Sequence, residues 1–164
     1  MSKIDNTALI ELSGKAAREA QTACIKQINE WELAMPEVKP LILDFGLKSF
    51  YETGLTEFWI ANEIEAGYCG KYMFVFDGQR CPMHRHREKL ETFCIVKGTA
   101  LMTYDGREFE MKPGDILTVE RWKYHSFVGK GACLLLEISK PCIIADNYFE
   151  NTAIPVGGNY KFKL

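Results

Sequence analysis

Downstream of Leu41 the chain breaks into short runs rich in aromatic and β-branched residues, each cut off by Gly, Asp or Pro. This texture constrains the fold more than any other feature, because runs of that length suit strands and are too short for helices. The spacing predicts strands at Thr56 to Ala61, Lys71 to Phe76, Thr92 to Val96, Ala100 to Tyr104, Glu108 to Met111, Ile116 to Val119 and Cys133 to Ile138. Asp105-Gly106 lies between two of them and is a strong two-residue hairpin signal, since both residues reach positive φ cheaply. Lys112-Pro113-Gly114-Asp115 reads as a second turn. So many short strands at hairpin spacing predict a mainly β protein, an antiparallel sandwich or small barrel.

The first forty residues differ. Ala17, Ala20, Cys24, Ile28 and Trp31 recur at three- and four-residue steps between Ser13 and Glu32, which predicts one amphipathic helix ended by Pro36 and Pro40. Residues 1–40 are therefore read as a helical extension and residues 41–164 as the β domain, within a single structural domain overall. With 20 basic and 22 acidic residues the formal charge is only −2, so neither nucleic acid nor an anionic membrane is an expected partner. No apolar run approaches the length of a membrane span, and MSKIDNTALIE lacks a signal-peptide core, so a soluble cytoplasmic protein is expected. Six cysteines without CxxC spacing read as structural thiols.

The chain has three histidines, His84, His86 and His125. Residues two apart on a strand share a face, so His84 and His86 can aim both rings at one point, whereas on a helix they would diverge. Glu91 is an odd number of residues further on, so a turn through Arg87-Glu88-Lys89 must intervene if it is to join them. His125 follows the Pro113-Gly114-Asp115 turn by ten residues. Three imidazoles and one carboxylate suit manganese, iron, nickel or zinc, without choosing among them.

The spacing Gly78, five residues, His84-Arg85-His86, four residues, Glu91, six residues, Gly98 resembles the first cupin motif, and Pro113-Gly114-Asp115, nine residues, His125 resembles the second. Glu120 and Arg121 stand where that family usually has a proline-containing turn. Within the cupins, YCGKYMFVFDGQRCPMHRHREKLETF is similar to the heart of the D-lyxose isomerase family, flanked by LDFGL and by LLLEIS with DNYFEN. The likeness spans roughly residues 41 to 151 and leaves the helix outside.

The resemblance implies a cupin barrel or jelly roll in which His84, His86, Glu91 and His125 hold a divalent metal, manganese ahead of iron, nickel, cobalt or zinc. It also implies interconversion of D-lyxose and D-xylulose, and of D-mannose and D-fructose, through a cis-enediol. The base of such a reaction should be a carboxylate beside the metal but not consumed by it. Glu137 interrupts LLLEIS on the face of Cys133 and Leu135, where a carboxylate is costly to bury without a role, unless it sits at an edge facing solvent. The family pattern makes it the proton-shuttling residue.

Lys89 matches the family's Lys-x-Glu and is a candidate to polarise or protonate a substrate oxygen, although alone it would be an ordinary surface lysine. Lys71 could reach the sugar or simply pair with an acid. Trp122 and Tyr124 could stack on a sugar face or pack as core, and Asp146 is a family-borne candidate for a sugar hydroxyl. An iron-dependent cupin dioxygenase and a non-catalytic sugar-binding cupin share the ligand set and are the rival readings. A homodimer is expected, with the helix over part of its surface.

Overall fold

The computed structural model of the protein describes residues 6–160. A short 3₁₀ turn (Asn6–Leu9) and helix α1 (Gly14–Glu30) precede nine strands: β1 (Leu41–Leu43), β2 (Leu55–Glu63), β3 (Tyr68–Val75), β4 (Arg80–His86), β5 (Glu91–Tyr104), β6 (Arg107–Met111), β7 (Ile116–Val119), β8 (His125–Ser139) and β9 (Asn147–Phe149). A second 3₁₀ turn (Ile144–Asp146) leads into β9. All pairings between named strands are antiparallel, and they join into one curled sheet ordered β1-β2-β3-β8-β4-β9, with β5 laid along β8 and carrying β6 and β7. The expected cupin architecture of a small antiparallel barrel with an N-terminal helix is what the chain adopts.

The β5–β8 ribbon makes the barrel. Glu91 pairs near one end of it with Ser139, and Tyr104 pairs at the other end with His125. A flat strand of β5's length would hold those ends roughly 40 Å apart at about 3.3 Å per residue. Yet His125 Nε2 lies 2.7 Å from Glu91 Oε1, so the ribbon bends back until its ends meet. The bend falls at the register shifts between Ile95, Lys97 and Thr99, which are bulges of the kind that turn a sheet. Gly98 sits there with φ 77°, and a Cβ on it would fall 2.1 Å from the Ala132 carbonyl oxygen, so the two strands approach as only glycine allows. The sequence signal for separate strands over 92–96 and 100–104 is this bulge within one continuous strand.

The Asp105-Gly106 turn forms as expected, with φ 49° and 78° and Tyr104 paired to Arg107. Strands β1, β4 and β9 lie outside the seven strands expected. Pro82 and four charged or histidine residues break the apolar pattern of β4, and β9 is only Asn147–Phe149.

Helix α1 buries Ala20, Cys24 and Ile28, spaced four residues apart, with Cys24 and Ile28 against Phe58, Phe74 and Leu134 on the outside of the β2-β3-β8 sheet and Ala20 against Ile42 and Phe50. It ends before the two prolines. Glu32 adopts left-handed φ 56°, its N–H donates to the Asn29 carbonyl, and the Leu33 N–H donates to Ile28. This is a Schellman turn, in which Leu33 packs beside Ile28. The prolines act on a chain that has already left the helix.

Candidate metal centre and buried charge network

Each strand of the barrel wall presents its inner face as alternate residues, and at one level these faces change character together. On β3 Val75 and Met73 are followed by Lys71; on β8 Cys133 and Leu135 by Glu137; on β5 Ile95 and Phe93 by Glu91; on β2 Leu55 by Glu57. The first partner in each case belongs to the apolar core and the second is a buried ionisable group. Phe127 gives way to buried His125 at the start of β8 in the same manner.

His84 and His86 project from β4 and His125 from β8, where His84 and His125 are paired residues. The segment Arg87 to Leu90 carries no strand, and β5 then begins at Glu91. The required turn is held by Asp146, whose carboxylate accepts the N–H groups of Arg87, Glu88 and Lys89 at 3.0 to 3.2 Å. The donor atoms of His84, His86, Glu91 and His125 all lie within 4.8 Å of one another.

The protons in this cluster can be assigned. His84 Nδ1 faces the Pro82 carbonyl at 2.7 Å, His86 Nδ1 that of Asp146 at 3.3 Å, and His125 Nδ1 that of Lys123 at 3.0 Å. A carbonyl only accepts, so each ring holds a proton on Nδ1, and in its neutral, ligand form turns a bare Nε2 inward. His86 Nε2 and His125 Nε2 then point lone pairs at Glu91 Oε1, 3.1 and 2.7 Å away. All three atoms are buried without a hydrogen-bond partner. Burial and the neighbouring His125 and His86 hold His84 well below its usual pKa, so it stays neutral. Lone pairs crowded against a carboxylate with no proton between them are what a cation relieves. The set of three imidazoles and one carboxylate fits a divalent transition ion, and carbonyl-anchored Nδ1–H groups are the usual outer partners of metal-binding histidines.

Beyond Glu91 the charges alternate. Lys89 Nζ lies 2.6 Å from Glu91 Oε2 and 2.5 Å from Glu137 Oε1. Ser139 Oγ also donates to Glu137 Oε1 at 2.8 Å. Lys71 Nζ lies 3.6 Å from Glu137 Oε2 and 2.6 Å from Glu57 Oε1. Trp59 Nε1 donates to Glu57 Oε2 at 3.0 Å, and Lys71 sits over the Trp59 ring. Burial would neutralise such groups singly, but pairing reverses that. Burial raises the Glu137 pKa, yet Lys71 and Lys89 together hold it below the usual carboxylate range. Glu91 is likewise driven well down, chiefly by Lys89, against the effect of burial. Glu137 and Glu57 hold Lys71 protonated against its burial, and Glu137 and Glu91 do the same for Lys89.

Of the residues singled out in the sequence, His84, His86, Glu91, His125, Lys89, Glu137 and Lys71 come together here. Glu137 is buried, not at a solvent edge, and Lys71 pairs with acids. Asp146 spends its carboxylate on backbone amides, beneath Lys89. Trp122 lies elsewhere. Its φ is 61°, its N–H donates to the His86 carbonyl, and its ring is 45% exposed against Tyr148 and the Arg85 guanidinium, which also covers Tyr124. Arg85 points away from the histidines that flank it on β4, so these aromatics furnish the outer surface. Glu57, Trp59 and Ser139 were missed. Glu57 interrupts the apolar run LTEFWIA just as Glu137 interrupts LLLEIS, and the same reasoning finds it.

A cavity of about 140 Å³ opens beside Lys89, walled by Ile64, Lys140, Pro141, Ile143 and Asp146. The segment over it is pinned by Asn62, whose side-chain amide donates to the Cys142 carbonyl and accepts its N–H.

Residues 72–139 match the family model for the cupin domain. That stretch carries a cupin domain, and the barrel with its histidine and glutamate cluster is built around it. The sequence is similar to the D-lyxose/D-mannose isomerase of Thermosediminibacter oceani, 28% identical over 159 residues that cover 78% of this chain and 87% of the relative. A shorter likeness, 31% over 64 residues, runs to a 5-nitrosalicylic acid 1,2-dioxygenase of Bradyrhizobium and covers 30% of that protein. Among solved structures the fold is similar to L-ribose isomerase from Cellulomonas parahominis, with a TM-score of 0.72 at 15% identity, covering 88% of this chain and 95% of the other. It is also similar to L-ribose isomerase from Geodermatophilus obscurus, with a TM-score of 0.58 at 17% identity, covering 62% and 71%. Among the described residues no helix is long and apolar enough to cross a membrane.

Proposed function

We propose that the protein is a metal-dependent aldose-ketose isomerase that interconverts D-lyxose and D-xylulose and also accepts D-mannose and D-fructose. The observation that carries this reading is Glu137, a buried carboxylate one lysine removed from the metal-ligand cluster and not part of it. Moving a hydrogen from C2 to C1 of a sugar needs a base that stays free of the metal. His84, His86, Glu91 and His125 would hold a divalent ion, manganese in our reading, which would supply Lewis-acid stabilisation of the negative charge that develops on the sugar oxygens. Glu137 takes the proton from C2 and returns it to C1. Lys89, kept as an ammonium by its two carboxylates, donates to the sugar oxygen that gains charge. Positioned proton transfer of this kind contributes roughly 10²–10⁴-fold to rate.

The dioxygenase likeness covers less than a third of that relative, and a wall of two lysines and three glutamates suits a polyol better than an apolar ring. We further propose a cytoplasmic homodimer. Its support is an outer sheet face beyond α1 where Ile116 and Ile138 remain well exposed; light scattering at micromolar concentration should give twice the chain mass, and a monomer would remove this part. The test of function is a coupled assay of aldoses and ketoses after chelation and readdition of each divalent metal. Turnover of D-lyxose restored by metal supports the reading, and strict dependence on oxygen would sink it.

A further inference from the structure

Glu137 is placed between two ammonium groups, which is a poor arrangement for a base. A carboxylate whose two oxygens are both paired with cations holds its electrons too firmly to accept a proton from carbon. The distances show that the pairing is unequal. Oε1 is fully engaged, with Lys89 at 2.5 Å and the Ser139 hydroxyl at 2.8 Å. Oε2 has only Lys71, at 3.6 Å, too long for a hydrogen bond. Lys71 is instead drawn 2.6 Å onto Glu57, which the Trp59 indole fixes from its other oxygen. Glu57 and Lys71 are both buried, so neither exchanges its partner for water.

We propose that Glu57 is a positioning residue that holds Lys71 off Glu137, leaving Oε2 as the oxygen that receives and returns the substrate proton. This rests on the isomerase reading and extends it to a residue two strands from the metal ligands. Glu57 touches neither the ligand cluster nor the substrate-facing carboxylate; it acts through Lys71. Without its charge, Lys71 swings to the nearer remaining anion, Glu137, and closes the second oxygen.

The test compares wild type, Glu57→Gln and Glu57→Asp, each loaded with Mn²⁺, for kcat, KM for D-lyxose, Mn²⁺ affinity and melting temperature. Glu57→Gln keeps the shape and the indole hydrogen bond but removes the charge, so kcat should fall roughly tenfold or more, a part of the roughly 10²–10⁴-fold that a positioned base contributes. KM and Mn²⁺ affinity should stay within about threefold, a difference too small to signal a lost contact. Glu57→Asp keeps the charge and should retain a clearly higher kcat than Glu57→Gln. Should Glu57→Gln not fold, Trp59→Phe, which removes one of the two hydrogen bonds on Glu57, should lower kcat in the same selective way. An unchanged kcat in Glu57→Gln overturns the proposal, as do equal losses in the Gln and Asp variants or a parallel loss of metal affinity. A wild-type protein that binds metal but turns over no aldose removes the isomerase reading, and this inference with it.

Discussion

The two ends of the barrel interior are built on the same strands and differ in what they contain. Below the level of Phe93 and Leu135 the inner faces are Met73, Val75, Ile95, Ala100, Met102 and Cys133, packed without a charge among them. One two-residue step further along, the same strands present Glu57, Lys71, Glu91 and Glu137, joined by Lys89 from the turn. Burial of each large apolar side chain in the first region stabilises the fold by about 1.5–3 kcal/mol. Burial of charge in the second gains little net, because desolvation offsets most of the attraction even when every charge is paired. A chain selected only for stability would have continued the hydrocarbon layer. The contrast teaches that the lower half holds the barrel shut and the upper half is retained for chemistry.

That division can be broken most severely at the cluster. His125→Ala removes one of the four donors and should weaken divalent-metal binding by more than ~100-fold, beyond the loss typical of outer partners of a ligand; calorimetric titration with Mn²⁺ reads this directly. Lys89→Met should come next. It leaves Glu91 and Glu137 without their shared cation and should destabilise the protein by about 3–5 kcal/mol in urea unfolding, the usual consequence of stripping one member from a buried ion pair. Leu135→Ala, two residues from Glu137 on the same face, should cost a comparable ~2–5 kcal/mol through the cavity it leaves, yet keep activity per folded molecule. If Leu135→Ala abolishes turnover while remaining folded, the two regions are not separable.

Asp146→Asn should have a smaller effect, about 1–3 kcal/mol, since charge-assisted hydrogen bonds to three amides become neutral ones. Its signature should be weaker metal binding, because the turn it holds sets the offset between His86 and Glu91. The smallest effect concerns pH. His84 in the fold sits well below its usual 6.5, so below 6.5 the unfolded chain binds a proton that the folded chain refuses. The metal-free protein should therefore lose stability as pH falls under 6.5, at up to about 1.4 kcal/mol per pH unit. Above 6.5 this residue contributes no pH dependence. Chemical unfolding between pH 5.5 and 8 checks the sign.

The sequence carried the β texture, the hairpin at Asp105-Gly106 and the amphipathic helix, because each depends on neighbours along the chain. It also pointed to the four residues that cluster, His84 and His86 through the strand face they share and Glu91 and His125 through the cupin-like spacing. What it could not carry depends on the curl of the β5–β8 ribbon. Nothing local says that Glu91 and His125, at opposite ends of that ribbon, will meet. Glu57 was passed over for a related reason: a glutamate in an apolar run signals a buried charge, but its partner Lys71 is fixed only by strand pairing. Trp122 shows the opposite error. Its position near His125 in sequence suggested a place at the site, while the left-handed backbone there turns its ring outward onto Arg85.

The central claim is that this end of the barrel isomerises a sugar through Glu137, and NMR of D-lyxose incubated anaerobically with the Mn²⁺-loaded protein tests it most directly. D-xylulose should accumulate with wild type and be absent after chelation. Glu137→Gln should still bind metal and sugar but convert the sugar at least ~10²-fold more slowly, the lower bound for a missing general base. Unchanged D-lyxose with the metal-loaded wild type, or undiminished D-xylulose with Glu137→Gln, would contradict it.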